Sequence, residues 1–520
     1  MKFFYSNSLY PFLFVLYLNL ALLESNAEQV SPSLAVRPMV VLLLSAAAGL
    51  LLFHALFRDW QYAAYLVFLV FAFFFTFEHL NRLAQDRLSI LDAAAGQLFF
   101  LIVWALLLIL LCSKPVWSVL GGRSGMIPFL NIVCLLALIQ PVFRLAVSAL
   151  PAQSAPASAS PAERPNTGEL DCSSTPDIYL IILDAYGRAD VLEALYGLDN
   201  LPFLEYLRAK GFYVAEESHT NYTQTVFSIP AVLNFSYIGP PTASQIDWQY
   251  FRERIRENEL MRILKTCGYR IAALESGFYY TDVFDTDLQL TERDYLNEFE
   301  EMLLAGSPTS VLAEVFNLEP SEQSYAAHRQ RVLAGFEMLK MVAQVPGPKL
   351  VFAHLITPHP PFVFEADGGY TQPDRGYSLA DGDEYEGDLD EYRTGYASQV
   401  QFVNRRLEET IDALLANSET PPVIILQSDH GPGSRLDWSS PGKTCLWERT
   451  AILNAYYLPG SGSDQLYPSI SPVNSFRVIL NAVFGTDLPL LPDNTYFTSH
   501  LLERQVIDIT EGRDSRALCE

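Results

Sequence analysis

A helical membrane region followed by an α/β domain, whose mostly parallel central sheet is covered by helices, is the architecture this 520-residue sequence predicts. Three observations carry that expectation. Apolar stretches of nearly membrane-spanning length crowd the first 150 residues, a Pro/Ala/Ser-rich segment fills 151–176, and short apolar β-branched runs then alternate with helical patterns. Such runs fit strands buried on both faces. The expected division is 1–150 membrane region, 151–176 linker and 177–520 soluble domain, since a chain this long exceeds one ordinary core.

Charge follows the same division. Residues 1–150 carry eight Lys/Arg and six Asp/Glu, and the remainder carries 26 and 53, for a net charge of −25. Nucleic-acid binding needs Lys/Arg patches that release counterions, so this composition argues against a nucleic-acid partner. An anionic substrate would need a locally placed metal ion or arginine to overcome the acidic field.

Four apolar stretches, Pro38–Phe57, Tyr62–Phe77, Gln97–Cys112 and Met126–Leu150, approach the ~20 residues a bilayer-spanning helix requires. Residues 3–23 form a fifth. With Lys2 ahead and Ser25-Asn26-Ala27 behind, that segment reads as a cleavable signal peptide as well as an anchor. Four or five spans place the soluble domain on the same, outer side. The flanking cations do not decide sidedness, because Lys2, Arg58, Lys114 and Arg123 are matched by Arg37, Arg82, Arg87 and Arg144. The linker reads as extended and mobile.

Strands are expected at Asp177–Leu183, Tyr269–Leu274, Leu350–Ile356 and Val423–Leu426, and helices at Leu201–Lys210, Tyr250–Lys265, Tyr325–Val342 and Tyr392–Leu415. Three of the strands run into metal-competent or titratable groups: Asp184, the segment His354-Leu-Ile-Thr-Pro-His359, and Asp429-His430-Gly431. Ligands of α/β sheets sit beyond the carboxyl ends of the strands, and Asp oxygen and neutral His nitrogen are both good zinc ligands. Each residue has a plainer use, as a helix cap, a core histidine or a loop residue. Their recurrence on one sheet edge favours a site.

Between the first two lies Asn221-Tyr-Thr-Gln-Thr225-Val-Phe-Ser228-Ile-Pro230, a polar loop entering a helix expected from about Phe227. A hydroxyl there profits from the helix N-terminus and from any adjacent cation, although capping is the commoner job.

In order along the chain, an Asp-terminated first strand, a Thr-x-x-Ser-x-Pro loop, a His-x4-His-x-Pro segment and a late Ser-Asp-His-Gly together resemble the alkaline phosphatase/sulfatase superfamily. The membrane-anchored branch, with lipoteichoic-acid synthases and lipid A phosphoethanolamine transferases, is the nearest match. The resemblance implies an alkaline-phosphatase-like domain facing away from the cytoplasm. It implies one divalent metal, Zn or Mn, held by Asp184 (usually Glu in this branch), Thr225, Asp429 and His430. Thr225 then matches the nucleophile, His359 a substrate-side histidine that protonates the leaving oxygen, and His354 a supporting, substrate-binding one. The family's late histidine is missing, and Lys443 or Arg449 stands near its place as a candidate phosphate ligand. The implied activity is a phosphotransferase or phosphodiesterase acting on a membrane lipid or envelope glycan. A sulfatase-type ester hydrolase and a non-catalytic assembly protein are the alternatives. Formylglycine chemistry is disfavoured because no cysteine lies in a Cys/Ser-x-Pro-x-Arg context.

Weaker signals remain. Asp381–Glu391 holds seven carboxylates in eleven residues, does not fit an EF-hand, and reads as a solvated loop. Asn221-Tyr-Thr and Asn234-Phe-Ser fit the glycosylation pattern by chance. Tyr279, Tyr280, Phe362 and Phe364 suit either a headgroup pocket or the core. Cys172, Cys267, Cys445 and Cys519 can pair in an oxidising compartment or remain core thiols.

Overall fold

The computed structural model describes residues 8–519 except 27–31, 86–93, 120–121, 150–166, 169, 239–247, 279, 284–285, 291–297, 310–311, 313–324, 372, 374, 376 and 500–505. Most of the expected linker, Tyr279, His500 and the start of segment 3–23 therefore lie outside the described residues. The chain forms two compact units, Met1–Pro156 with Asp294–Glu322, and Ala157–Arg293 with Gln323–Glu520. The sequence reading kept Asp294–Glu322 with the soluble domain. In the fold its helix Glu298–Ala305 belongs to the first unit, where Glu300 pairs with Arg37 and Phe299 is buried against Leu23 and Ala35.

In the first unit, Val36–Phe57, Trp60–Asn81 and Met126–Ala146 are long and apolar enough to cross a membrane. Tyr10–Ser25 and Leu98–Leu111 are shorter apolar helices. The helix over the expected span Gln97–Cys112 runs Ala94–Leu111, and three helices meet the requirement among the described residues. The helix Tyr10–Ser25 is tied in by Asn131, whose side-chain oxygen accepts from the backbone N–H groups of Leu9 (3.0 Å) and Tyr10 (2.8 Å). Free helix-start N–H groups need such a partner away from water.

The second unit is built on a seven-stranded sheet: β1 (Ile178–Leu183), β2 (Tyr213–Val214), β3 (Arg270–Leu274), β4 (Leu288–Leu290), β5 (Lys349–Leu355), β6 (Val423–Ser428) and β7 (Asn454–Tyr457). The order is β2-β7-β6-β1-β5-β3-β4. The run from β6 to β4 is parallel, and β7 pairs antiparallel with both β6 and β2. Both faces are covered. Along β1, Tyr179, Ile181 and Leu183 enter one hydrophobic cluster while Ile178, Leu180 and Ile182 enter the other. Side chains alternate across a strand, so a strand sandwiched between two cores must be apolar throughout.

The expected strands appear within a residue or two. One expected helix is divided: Tyr250–Lys265 becomes Trp248–Arg256 and Glu259–Thr266. Asn258 interrupts it because its Oδ1 accepts from Met261 N at 2.8 Å, capping the second helix. The acidic run is corrected as well. Asp388 caps the helix Leu389–Asn417 by accepting from Glu391 N (2.8 Å), and Asp381 is buried. Disulfides join Cys172 to Cys267 and Cys445 to Cys519, while Cys112 and Cys134 are free. Asn221 and Asn234 are buried, which bars glycans there.

The Asn258 cap is separable from the site. Replacing it by Ala should cost about 1 kcal/mol, seen as a lower melting temperature with metal binding unchanged.

Candidate active site

Register brings the candidate residues together. Leu183 of β1 is paired with Leu355 of β5 on one side and Ser428 of β6 on the other. The next residues, Asp184, Ile356 and Asp429, therefore leave three adjacent strands at one edge. Side-chain bonds fix the exits. Tyr186 N donates to Ser428 Oγ (2.7 Å), whose hydroxyl lies 2.7 Å from the Leu183 carbonyl and 2.6 Å from that of His430. His359 N donates to the Asp184 carbonyl at 3.0 Å, and Gln399 Nε2 donates to the His359 carbonyl at 3.0 Å. Gly431 is required by close approach, because a Cβ there would lie 2.1 Å from the Glu448 carbonyl oxygen.

Asp184, Asp429 and His430 form the one cluster of three metal-competent residues among the described residues, with ligand atoms within 4.8 Å of one another. All three are buried. His430 Nδ1 donates to the Gly431 carbonyl at 3.0 Å, which leaves the Nε2 lone pair turned toward the cluster. Nε2 lies 3.5 Å from Asp184 Oδ1 and 3.4 Å from Asp429 Oδ2. Among the described residues neither carboxylate oxygen has a hydrogen-bond donor. Buried carboxylate oxygens are ordinarily satisfied, so two orphans facing a bare imidazole nitrogen fit a divalent cation. Asp429 Oδ1 is held separately by His430 N (3.0 Å) and Ala185 N (3.3 Å).

Thr225 opens the helix Thr225–Leu233, two residues earlier than expected, with Gln224 as its N-cap. Its Oγ1 lies 3.1 Å from His430 Nε2. Ser228 is buried and bonded to the Tyr222 carbonyl at 2.8 Å, so it holds the loop and leaves the hydroxyl at the cluster to Thr225. The cluster opens into a cavity of about 350 Å³ whose lining includes Thr225, His359, Asp381, Arg449, Phe278 and Trp438. The His359 and His430 rings are 6.4 Å apart across it.

Of the remaining expected residues, Arg449 lines the cavity. His354 does not, and supports Asp184 from behind: its Nε2 is 3.4 Å from Asp184 Oδ2 and its Nδ1 is 2.9 Å from Thr281 Oγ1. Lys443 is not brought to the site. It lies in the turn Pro441–Lys443, is two-thirds exposed, and faces Asp437 at 3.5 Å. Tyr280 borders the cavity, whereas Phe362 and Phe364 belong to the core.

Asp381 is the residue that sequence reasoning missed. It accepts from Arg449 Nη1 (2.8 Å) and Tyr392 OH (2.7 Å) and lies 3.9 Å from His359 Nε2. Its seven-carboxylate context concealed it, since only folding separates one buried member from solvated neighbours. Burial opposes the charge on Asp381, but Arg449 and His359 outweigh it and hold its pKa below the usual value. Burial likewise opposes ionisation of Asp184, and the nearby His359, His354 and His430 overcome it, so Asp184 stays ionised at neutral pH. Burial, then Arg449, lowers the pKa of His430 and keeps it neutral and ligand-ready. Burial also opposes protonation of His354, but Asp184 and Asp429 raise its pKa.

The family model described as Sulfatase matches residues 176–473. No curated protein matches the chain. Solved structures similar to it include the C-terminal periplasmic domain of EptC from Escherichia coli in complex with Zn, at 14% identity and TM-score 0.41 over 65% of this chain and 94% of that one. The corresponding domain of the phosphoethanolamine transferase EptC from Campylobacter jejuni gives 13%, 0.37, 61% and 92%. The lipoteichoic acid synthase LtaP from Listeria monocytogenes gives 14%, 0.39, 64% and 79%.

Asp429→Asn should weaken Zn²⁺ or Mn²⁺ binding by on the order of 100-fold, measured by chelator competition. The metal-free variant should melt no lower than the metal-free parent, because one of two abutting buried charges is gone. The metal-loaded parent should melt higher than both.

Proposed function

The chain belongs to the sulfatase family, and from that membership and the geometry above we propose a membrane-anchored, metal-dependent phosphotransferase or phosphodiesterase. It acts through Thr225 on the phosphoester of a membrane lipid headgroup or envelope glycan, with residues 177–293 and 323–520 as the catalytic domain on the outer side of the membrane. The observation that carries this reading is the convergence of a helix-initial hydroxyl with three buried metal-competent residues, 3.1 Å separating Thr225 Oγ1 from His430 Nε2.

Asp184, Asp429, His430 and Thr225 would hold one Zn²⁺ or Mn²⁺. The bound ion lowers the pKa of a coordinated hydroxyl and screens the charge of the phosphoryl group. The chain's own residues supply the rest. Thr225 sits at the N-terminus of its helix, where unpaired N–H groups favour an alkoxide. Its hydroxyl proton passes to solvent, its oxygen attacks phosphorus, a phospho-threonine forms, and the bond to the leaving alcohol breaks. His359, with Nδ1 held by the Pro360 carbonyl at 2.6 Å, presents Nε2 to the cavity and gives the leaving oxygen its proton. Water or an acceptor alcohol, giving its proton to the now neutral His359, then attacks the phospho-threonine, and the released Thr225 oxygen regains its proton from solvent. Arg449 supplies fixed positive charge to the phosphoryl oxygens. The apolar wall of Phe278, Tyr280 and Trp438 suits the organic part of a headgroup.

The absence of a Cys/Ser-x-Pro-x-Arg motif speaks against formylglycine-based sulfate ester hydrolysis. Incubating the protein with membrane lipids and mapping peptides by mass spectrometry should find phosphate or a phosphodiester on Thr225. Thr225→Ala and chelator-treated protein should show none, with turnover reduced at least about 10³-fold. An unmodified Thr225 with full metal content, and a cellular phenotype that survives Thr225→Ala, would favour the non-catalytic assembly role.

A further inference from the structure

Beside the three-ligand cluster lies a second set of donors, already filled by a side chain. Asp381 Oδ2 and the Gly431 carbonyl both accept from the Arg449 guanidinium, and His359 Nε2 faces the same Asp381 oxygen. Nη1 donates to Asp381 at 2.8 Å and to Gly431 O at 3.1 Å, and His359 Nε2 is 3.9 Å from the same Asp381 oxygen. A carboxylate, a carbonyl and an imidazole are donors that suit a divalent cation as well as they suit a guanidinium.

We propose that Arg449, locked by Asp381, is a built-in cation occupying a second cation position, so that the site carries one exchangeable metal ion and one permanent positive charge. The proposal deepens the function proposed above and rests on it for the first metal. Both partners are buried and over-determined. Arg449 Nε donates to the Thr223 carbonyl at 3.0 Å, and Trp438 covers the guanidinium with 5.2 Å from its carbon to the ring centre. Asp381 is fixed by Tyr392, which also accepts from Gly433 N at 2.9 Å. A Cβ on Gly433 would lie 2.5 Å from Asp381 Oδ2, so glycine is what lets the carboxylate seat. These bonds use Nε and Nη1. Among the described residues Nη2 makes no hydrogen bond, and Arg449 lines the cavity, so Nη2 is the donor turned to a substrate oxygen. A guanidinium is charged at every pH the protein meets, and this half of the site therefore does not depend on metal supply.

The test is a metal count. The full chain in detergent is stripped with chelator, equilibrated with Mn²⁺ or Zn²⁺, and measured by elemental mass spectrometry and calorimetry. The parent should hold one equivalent. Arg449→Ala frees the donor set and should take a second, weaker equivalent, which the Asp381→Asn/Arg449→Ala double variant loses again. A parent count of two, or a folded Arg449→Ala that stays at one, overturns the proposal alone. A parent count of zero overturns the metal reading of the first cluster as well. Should Arg449→Ala not fold, Arg449→Lys decides. It should keep one equivalent while KM for bis(4-nitrophenyl) phosphate rises at least about tenfold, the loss of one charge-assisted hydrogen bond. A second equivalent in Arg449→Lys refutes the idea.

Discussion

Two buried carboxylates at the ends of neighbouring strands are the constraint on which the site depends. Asp184 and Asp429 present oxygens within 4.8 Å of each other, and one oxygen on each has no donor. Two charges at that distance repel by about 3 kcal/mol even at an effective dielectric of 20, and desolvation adds to the cost. A neutral His430 does not remove that repulsion. A divalent cation does, which links metal binding to the stability of the sheet edge. The surrounding order follows: Ser428 and Gly431 hold the strand exits, His354 supports Asp184, and the Gly431 carbonyl sets the His430 tautomer.

The second constraint is electrostatic. The chain is strongly acidic overall, and the cavity is lined by Asp184, Asp381 and Glu384 as well as by Arg449. An anionic ligand meets a favourable field there only through locally fixed cations. Arg449 fits that need because its side chain is anchored by three hydrogen bonds, to Thr223, Asp381 and Gly431. Lys443, six residues earlier, is turned to solvent. The difference is one of placement: Arg449 lies in the buried helix Leu446–Thr450, adjoining the Cys445–Cys519 disulfide, and Lys443 in the exposed turn before it.

Much of the architecture was legible because burial on both faces leaves a one-dimensional mark. The strands at 178–183, 349–355 and 423–428 are largely apolar runs, too short for a buried helix and flanked by polar or turn-forming residues. The short antiparallel β7 and the edge strands β2 and β4 leave no such mark. The split at Asn258 was hidden because one side-chain cap can divide a continuous amphipathic pattern.

What the sequence by itself determined is the set of chemical parts: acidic and imidazole groups at strand ends, a hydroxyl before a helix, and an apolar N-terminal region. These are local, since each depends on a few residues in a row. What only the tertiary structure decided is which parts meet. The pairing of β1 with both β5 and β6 puts Asp184, His359 and Asp429 on one edge. The fold also takes Asp381 from an acidic run and seats it on Arg449, 68 residues away along the chain. Long-range pairing of this kind is set by register and burial, and neither has a signature in a stretch of neighbouring residues.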